Sequence, residues 1–261
     1  MPQPATDPSL KAVIDWWAEM GVVADPALLK ARTPAKPSKH PSGSQPAPPK
    51  KRKGAASVAD HVETARQLAA SCDTIEALKA AIESFDGCPL KAGARNTVVF
   101  DGVPGAGLMV IGEGPGADED RTGLPFVGRA GQLLDSMLAA IGRSRSENTL
   151  ITNVNYWRPP KNRNPEPDEL AVCRPFVDRM IVLAKPKLIM AAGAVPAKAL
   201  LGTSDGIMKL RGKRFDYTPP GASAIALYPV LHPAYLLRRP QEKSRAWRDL
   251  LTIEAALGDG N

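Results

Sequence analysis

Four short apolar runs, 108–111, 149–152, 187–192 and 224–231, are separated by longer stretches whose apolar residues recur at helical spacing. That alternation restricts the chain to few architectures. Strands that alternate with helices pair in parallel, and a parallel sheet needs cover on both faces. The expectation is therefore an α/β fold, a three-layer α/β/α sandwich around a central, mainly parallel four-stranded sheet. Helices are predicted over 130–141, closed by Gly142; over 167–183, opened by Pro167-Asp-Glu169; and over 195–201 and 244–257. Two more precede the first strand, 58–68 and 74–82, the second with Asp73 as its N-cap.

Upstream of this pattern the composition changes. Leu10, Val13, Ile14, Trp17 and Met20 share one face of a helix that Ser9 starts and Gly21 ends, so residues 1–30 read as an amphipathic helical segment. Its Trp16-Trp17 pair docks either on the main domain or on a protein partner. Residues 31–57 hold six prolines and the Lys50-Lys-Arg-Lys53 cluster, and read as a flexible, disordered linker ahead of a catalytic domain over 58–261. Between Ala31 and Val58 lie seven Lys or Arg and no acid, which equals the whole net charge of +7. The rest is nearly neutral, so contact with nucleic acid in the folded part has to come from local clusters such as Arg158 to Arg163 and Arg238-Arg239.

Three scattered cysteines, Cys72, Cys88 and Cys173, make no disulfide framework and suit a reducing compartment. The chain shows no signal-peptide pattern, and its longest apolar stretch, 188–201, is broken by Pro196 and Lys198. A soluble, cytoplasmic monomer without membrane contact is expected.

Ligands of open parallel sheets bind beyond the carboxyl ends of the strands, and three strand ends carry polar chemistry here. The first runs into Gly112-Glu-Gly-Pro-Gly-Ala-Asp-Glu-Asp120 and on to Phe126-Val-Gly128; the others end at Asn153 and at His232-Pro-Ala-Tyr-Leu-Leu-Arg238. A phosphate loop is excluded because no Gly-Lys-Ser/Thr follows. A dinucleotide site fits poorly, since Gly112, Gly114 and Gly116 have the wrong spacing and the next strand ends in an amide instead of an acid.

Taken together, Gly112 to Asp120, Arg121 to Gly128, Ile151 to Asn153, Arg158 to Arg163 and His232 to Arg238 resemble the uracil-DNA glycosylase superfamily, most closely its family 4. The resemblance covers roughly residues 85–255. It implies a monofunctional enzyme of base excision repair that removes uracil from DNA and leaves an abasic site. It further implies that Phe126 stacks on the extruded base, Asn153 reads its Watson-Crick edge, Glu119 crowds C5 against thymine, and His232 donates to O2. Gly114 belongs to the same substrate loop. Arg158, Lys161 and Arg163 would contact the backbone, and Leu236, Leu237 and Arg238 would form the wedge that enters the vacated stack. A non-catalytic lesion-binding protein with the same pocket is the alternative.

Two features depart from the pattern of the superfamily. The four cysteines that hold the family's iron-sulfur cluster correspond here to Phe85, Cys88, Trp157 and Cys173, so no cluster, no metal and no other cofactor is expected. The superfamily's water-activating aspartate is replaced by Gly114, a loss shared with family 4. Glu113 beside it is the candidate for orienting water or balancing the sugar cation, with Asp118 and Asp120 as alternatives.

Overall fold

The computed structural model describes residues 57–258; the expected amphipathic segment and most of the linker lie outside the described residues. Helix α1 (Val58–Ala70) starts on a capping box in which Ser57 Oγ accepts from Asp60 N–H at 3.2 Å and the Asp60 carboxylate accepts from Ser57 N–H at 2.8 Å. Helix α2 (Ile75–Ser84) is capped by Thr74, whose Oγ1 accepts from Ala77 N–H at 3.1 Å. The expected cap, Asp73, lies one residue too early and instead faces Arg179 at 3.3 Å.

The sheet has six strands where four were expected. In chain order these are β1 (Phe100–Gly102), β2 (Leu108–Gly112), β3 (Thr149–Asn153), β4 (Leu188–Ala192), β5 (Phe215–Tyr217) and β6 (Ile225–Val230). Across the sheet they run β1-β3-β2-β4-β6-β5. The inner four are parallel, as expected, and β1 and β5 each add an antiparallel edge. Every residue of β2, β3 and β4 is buried, which explains why these strands read as continuous apolar runs.

Between the strands lie α3 (Ala117–Thr122), α4 (Arg129–Ala139), α5 (Pro167–Ala184), α6 (Ala194–Leu201) and α7 (Ile207–Leu210), and after the last strand come α8 (Pro233–Arg238) and α9 (Lys243–Gly258). Helices α1 and α2 pack on α5. Met109, Ile111, Leu150, Ile189 and Leu227 share one apolar cluster with Leu78, Ile82, Phe176 and Met180. The alternate residues Leu108, Val110 and Ile151 point the other way and are equally buried, on the face where α9 meets β4 and β6. These are the three layers. No described helix is long and apolar enough to cross a membrane.

Candidate active site

Gly112 and Asn153 end β2 and β3 directly opposite each other in register. A side chain at Gly112 has no room, because a Cβ there would lie 2.4 Å from Asn153 Oδ1 and 2.5 Å from the Phe126 ring. The bare backbone lets the amide and the ring close on one space. Phe126 adopts φ 54°, a left-handed conformation that costs a bulky residue energy and persists only where its surroundings impose it. Those surroundings are specific: Arg145 donates from Nη2 to Phe126 O at 2.7 Å and from Nη1 to Pro125 O at 3.1 Å. From the other side, a Cβ on Gly131 of α4 would stand 1.8 Å from the same Phe126 oxygen, so only glycine allows the helix so close.

Glu119 ties this loop to the glycine-rich one. Its Oε1 accepts from Val127 N–H and Gly128 N–H, each at 3.0 Å, and its Oε2 accepts from Gly116 N–H at 3.1 Å. The carboxylate therefore bonds backbone on both sides of the cavity while lining it.

His232 is the N-cap of α8, and its Nδ1 accepts from Ala234 N–H at 3.1 Å. A neutral imidazole with Nδ1 accepting carries its proton on Nε2. Burial, with the charge of Arg238 adding and Glu119 opposing, pushes the histidine pKa down to about 4, so the ring is neutral over the ordinary range. The imidazole stacks on Phe126 with ring centroids 5.7 Å apart and an interplanar angle of 25°. Gly193, at φ 112° just past β4, leaves it room: a Cβ there would approach His232 Cβ to 3.1 Å.

Glu113 is half-buried, and burial raises its carboxyl above the usual range. Among the described residues its carboxylate has no hydrogen-bond or ion-pair partner, whereas both alternatives are committed elsewhere. Asp120 accepts from Arg95 N–H at 2.7 Å and Asn96 N–H at 3.2 Å, and Asp118 pairs with Arg121 at 3.5 Å.

Glu113, Gly114, Glu119, Phe126, Asn153 and His232 line one cavity of about 440 Å³, with Arg163 and Arg238 also on its wall. That volume suits a small planar ligand. Other residues expected at the site lie outside it. Arg158 donates to Asn162 Oδ1 at 2.7 Å, and Lys161 is exposed on the same loop. Leu236 departs from its expected role as a wedge, because α8 turns it into the interior at 1% exposure. Leu237, at 36%, is the leucine of that pair with an outward face.

The four residues that the family resemblance matched to cluster cysteines, Phe85, Cys88, Trp157 and Cys173, are packed as follows. Trp157 is fully buried, with Nε1 donating to Thr97 Oγ1 at 3.0 Å, and Phe85 packs edge-on against Phe176 at 5.2 Å. Cys88 and Cys173 are buried neighbours; the hydrogen bond between them lowers the Cys88 thiol and, with burial, raises that of Cys173. Cys72 turns away and donates to Leu68 O at 3.1 Å. No group of three or more His, Cys, Asp or Glu among the described residues is arranged to hold a metal. Two thiols do not fit a cluster that needs four ligands.

The cavity therefore lies at the carboxyl edge of the parallel strands of an α/β/α sandwich. Residues 100–251 match the Uracil DNA glycosylase superfamily, and the chain belongs to that family. It is 37% identical over 180 residues to a type-4 uracil-DNA glycosylase of Pyrobaculum aerophilum, covering 67% of this chain and 91% of that one. It is 37% identical over 174 residues to the type-4 uracil-DNA glycosylase of Thermotoga maritima, covering 66% and 88%.

Arg145 and Gly131 escaped the sequence reading. Both act on backbone carbonyls, which no motif spacing reports. The faint signal for Gly131 was a glycine inside a helical pattern, which usually has a packing reason.

Proposed function

We propose that this chain hydrolyses the N-glycosidic bond of uracil in DNA, leaving an abasic site, as a monofunctional glycosylase without an iron-sulfur cluster. The general activity, that of a uracil-DNA glycosylase, follows from the family and from its type-4 relatives. The observation that carries the finer reading is the convergence of the Asn153 amide, the Phe126 ring and the His232 imidazole on one cavity.

In this account the flipped uracil lies against Phe126, whose ring is already fixed and loses little entropy on stacking. Asn153 Oδ1 accepts from N3–H and Nδ2 donates to O4. Cytosine reverses that pattern and leaves both groups unpaired, at about 1–3 kcal/mol each. As the C1′–N1 bond breaks, negative charge grows on the base, and His232 Nε2–H donates to O2. A donor that is neutral and in place needs no reorganisation, and such donors contribute roughly 10²–10³ in rate. Water adds to C1′, guided by the Glu113 carboxylate, which also offsets the sugar cation. Among the described residues no lysine lines the cavity.

DNA would be held at the rim by Arg163 and Arg238 and on the neighbouring loop by Arg158 and Lys161, with Leu237 as the exposed apolar wedge. Arg163 is partly committed, since it also makes two hydrogen bonds to Glu169, at 2.8 and 2.6 Å. The buried Phe85 and Trp157 support a cluster-free segment in which aromatic packing takes over the scaffolding role.

The test is incubation with an oligonucleotide containing one uracil, followed by alkali. Strand scission at the uracil only after alkali is expected. Binding without alkali-labile sites would favour a lesion-binding protein, and scission before alkali would refute the monofunctional mechanism.

A further inference from the structure

The geometry points to Arg145 as a positioning residue for uracil excision: with Asp101 and Asp135 it holds Phe126 in its left-handed conformation and so sets the stacking wall of the pocket. This rests on the reading that Phe126 stacks on the base. Arg145 lies in the loop between α4 and β3, and its side chain keeps 21% of its exposure. Its donors are divided between two tasks. Nη1 bonds Asp101 Oδ2 at 2.7 Å and Nε bonds Asp135 Oδ1 at 2.9 Å, which orients the guanidinium. Nη1 also reaches Pro125 O, and Nη2 reaches Phe126 O, at 3.1 and 2.7 Å.

A planar fork with fixed donors can hold two successive carbonyls and two acids together, which a lysine cannot. The supporting acid comes from the edge strand β1, where Gly102 at φ 97° lies against the backbone of Thr149 and Arg145: a Cβ there would be 2.1 Å from Thr149 O and 3.1 Å from Arg145 O. Close contact of β1 with this loop thus brings Asp101 to the guanidinium. With Gly131 also close to the same Phe126 oxygen, the carbonyl is held by both Arg145 and α4. No atom of Arg145 lines the cavity, so its influence passes through Phe126.

A double-mutant cycle tests this. Single-turnover excision from a uracil oligonucleotide and affinity for the uracil-free duplex are measured for Arg145→Met, Phe126→Leu and the double variant. Arg145→Met is expected to slow excision by about 10- to 100-fold, the scale of a misplacement near 1 Å. Its affinity for uracil-free duplex stays within about twofold, and Arg145→Lys recovers part of the rate. In the Phe126→Leu background the same substitution costs no more than about twofold further. If Phe126→Leu alone leaves the rate unchanged, the stacking reading itself fails. If Phe126→Leu is slow but the Arg145→Met loss is absent, or multiplies undiminished onto it, the positioning role is overturned. Should Arg145→Met not fold, the half-exposed Asp135→Asn goes through the same cycle; a loss that persists without Phe126, or no loss in either background, overturns the proposal.

Discussion

Replacing Gly112 with alanine adds one methyl group between the Asn153 amide and the Phe126 ring, two walls of the proposed pocket. The new carbon would stand 2.4 Å from Asn153 Oδ1 and 2.5 Å from Phe126 Cε2 and Cζ. An ordinary carbon contact is roughly 3.5–4.0 Å, so the ring or the amide must retreat by about 1 Å. Gly112 has no positive φ, which makes the effect steric. Neither neighbour retreats freely, because the Phe126 backbone is gripped by Arg145 and Asn153 is 2% exposed at a strand end. Overpacking of this kind costs about 1–3 kcal/mol of stability, which for a domain of this size lowers Tm by about 2–12 °C. Excision should fall more steeply, by about 100-fold, because misplacement of both the reading amide and the stacking ring compounds. Single-turnover cleavage of a uracil oligonucleotide well below Tm measures the second effect and calorimetry the first. Gly93→Ala is the control, since a Cβ there meets nothing within 4 Å. Undiminished excision by folded Gly112→Ala would refute the assignment of this cavity to the base.

Four further outcomes are expected. His232→Ala should slow the chemical step by about 10²–10³ while leaving DNA affinity nearly intact, because the donor to O2 matters once charge has developed; equal losses would reduce the histidine to a loop former. Since the folded His232 pKa is about 4 against an ordinary 6.5, the unfolded chain takes up this proton first as pH falls. Its contribution, about 3 kcal/mol, is present above pH 6.5 and lost towards pH 4, a slope that chemical denaturation should find reduced in the variant. Glu113→Gln should remove the acid limb of the excision profile, which the raised Glu113 pKa locates above that of an ordinary carboxylate; a retained limb would assign water activation elsewhere. Deleting residues 1–56 should leave cleavage of a short oligonucleotide unchanged and flatten the salt dependence of binding to long DNA by up to about 6 logarithmic units per unit, the share of the seven Lys and Arg in the acid-free stretch between Ala31 and Val58.

The inner sheet was legible because its strands are mainly apolar runs, two of which end in Gly112 and Asn153 and a third of which leads within two residues to His232. The edge strands were not. Phe100-Asp-Gly102 and Phe215-Asp-Tyr217 are three residues long and carry an acid, so their pairing comes from the neighbouring strand and not from any local preference. Asn153, His232 and Phe126 could be marked from motifs, yet the reason Phe126 stands where it does lies in Arg145, Gly131 and Asp101, which touch it only through backbone oxygen or through one another. The segment expected to form the wedge was legible as a helix, since α8 opens with Pro233 after a capping His232, but not in its facing: helical geometry turns Leu236 inward while Leu237 remains exposed.

The most direct measurement is the free base released from three duplexes identical except for uracil, cytosine or thymine at one position, separated and quantified by chromatography. Uracil released stoichiometrically, with cytosine and thymine each slower by at least about 100-fold, is the predicted result: cytosine leaves both groups of the Asn153 amide unpaired at about 1–3 kcal/mol each, and thymine, whose edge equals that of uracil, is opposed at its C5 methyl by Glu119. Release of all three at similar rates, or of none, would contradict a pocket that reads uracil through Asn153 and the Phe126 wall.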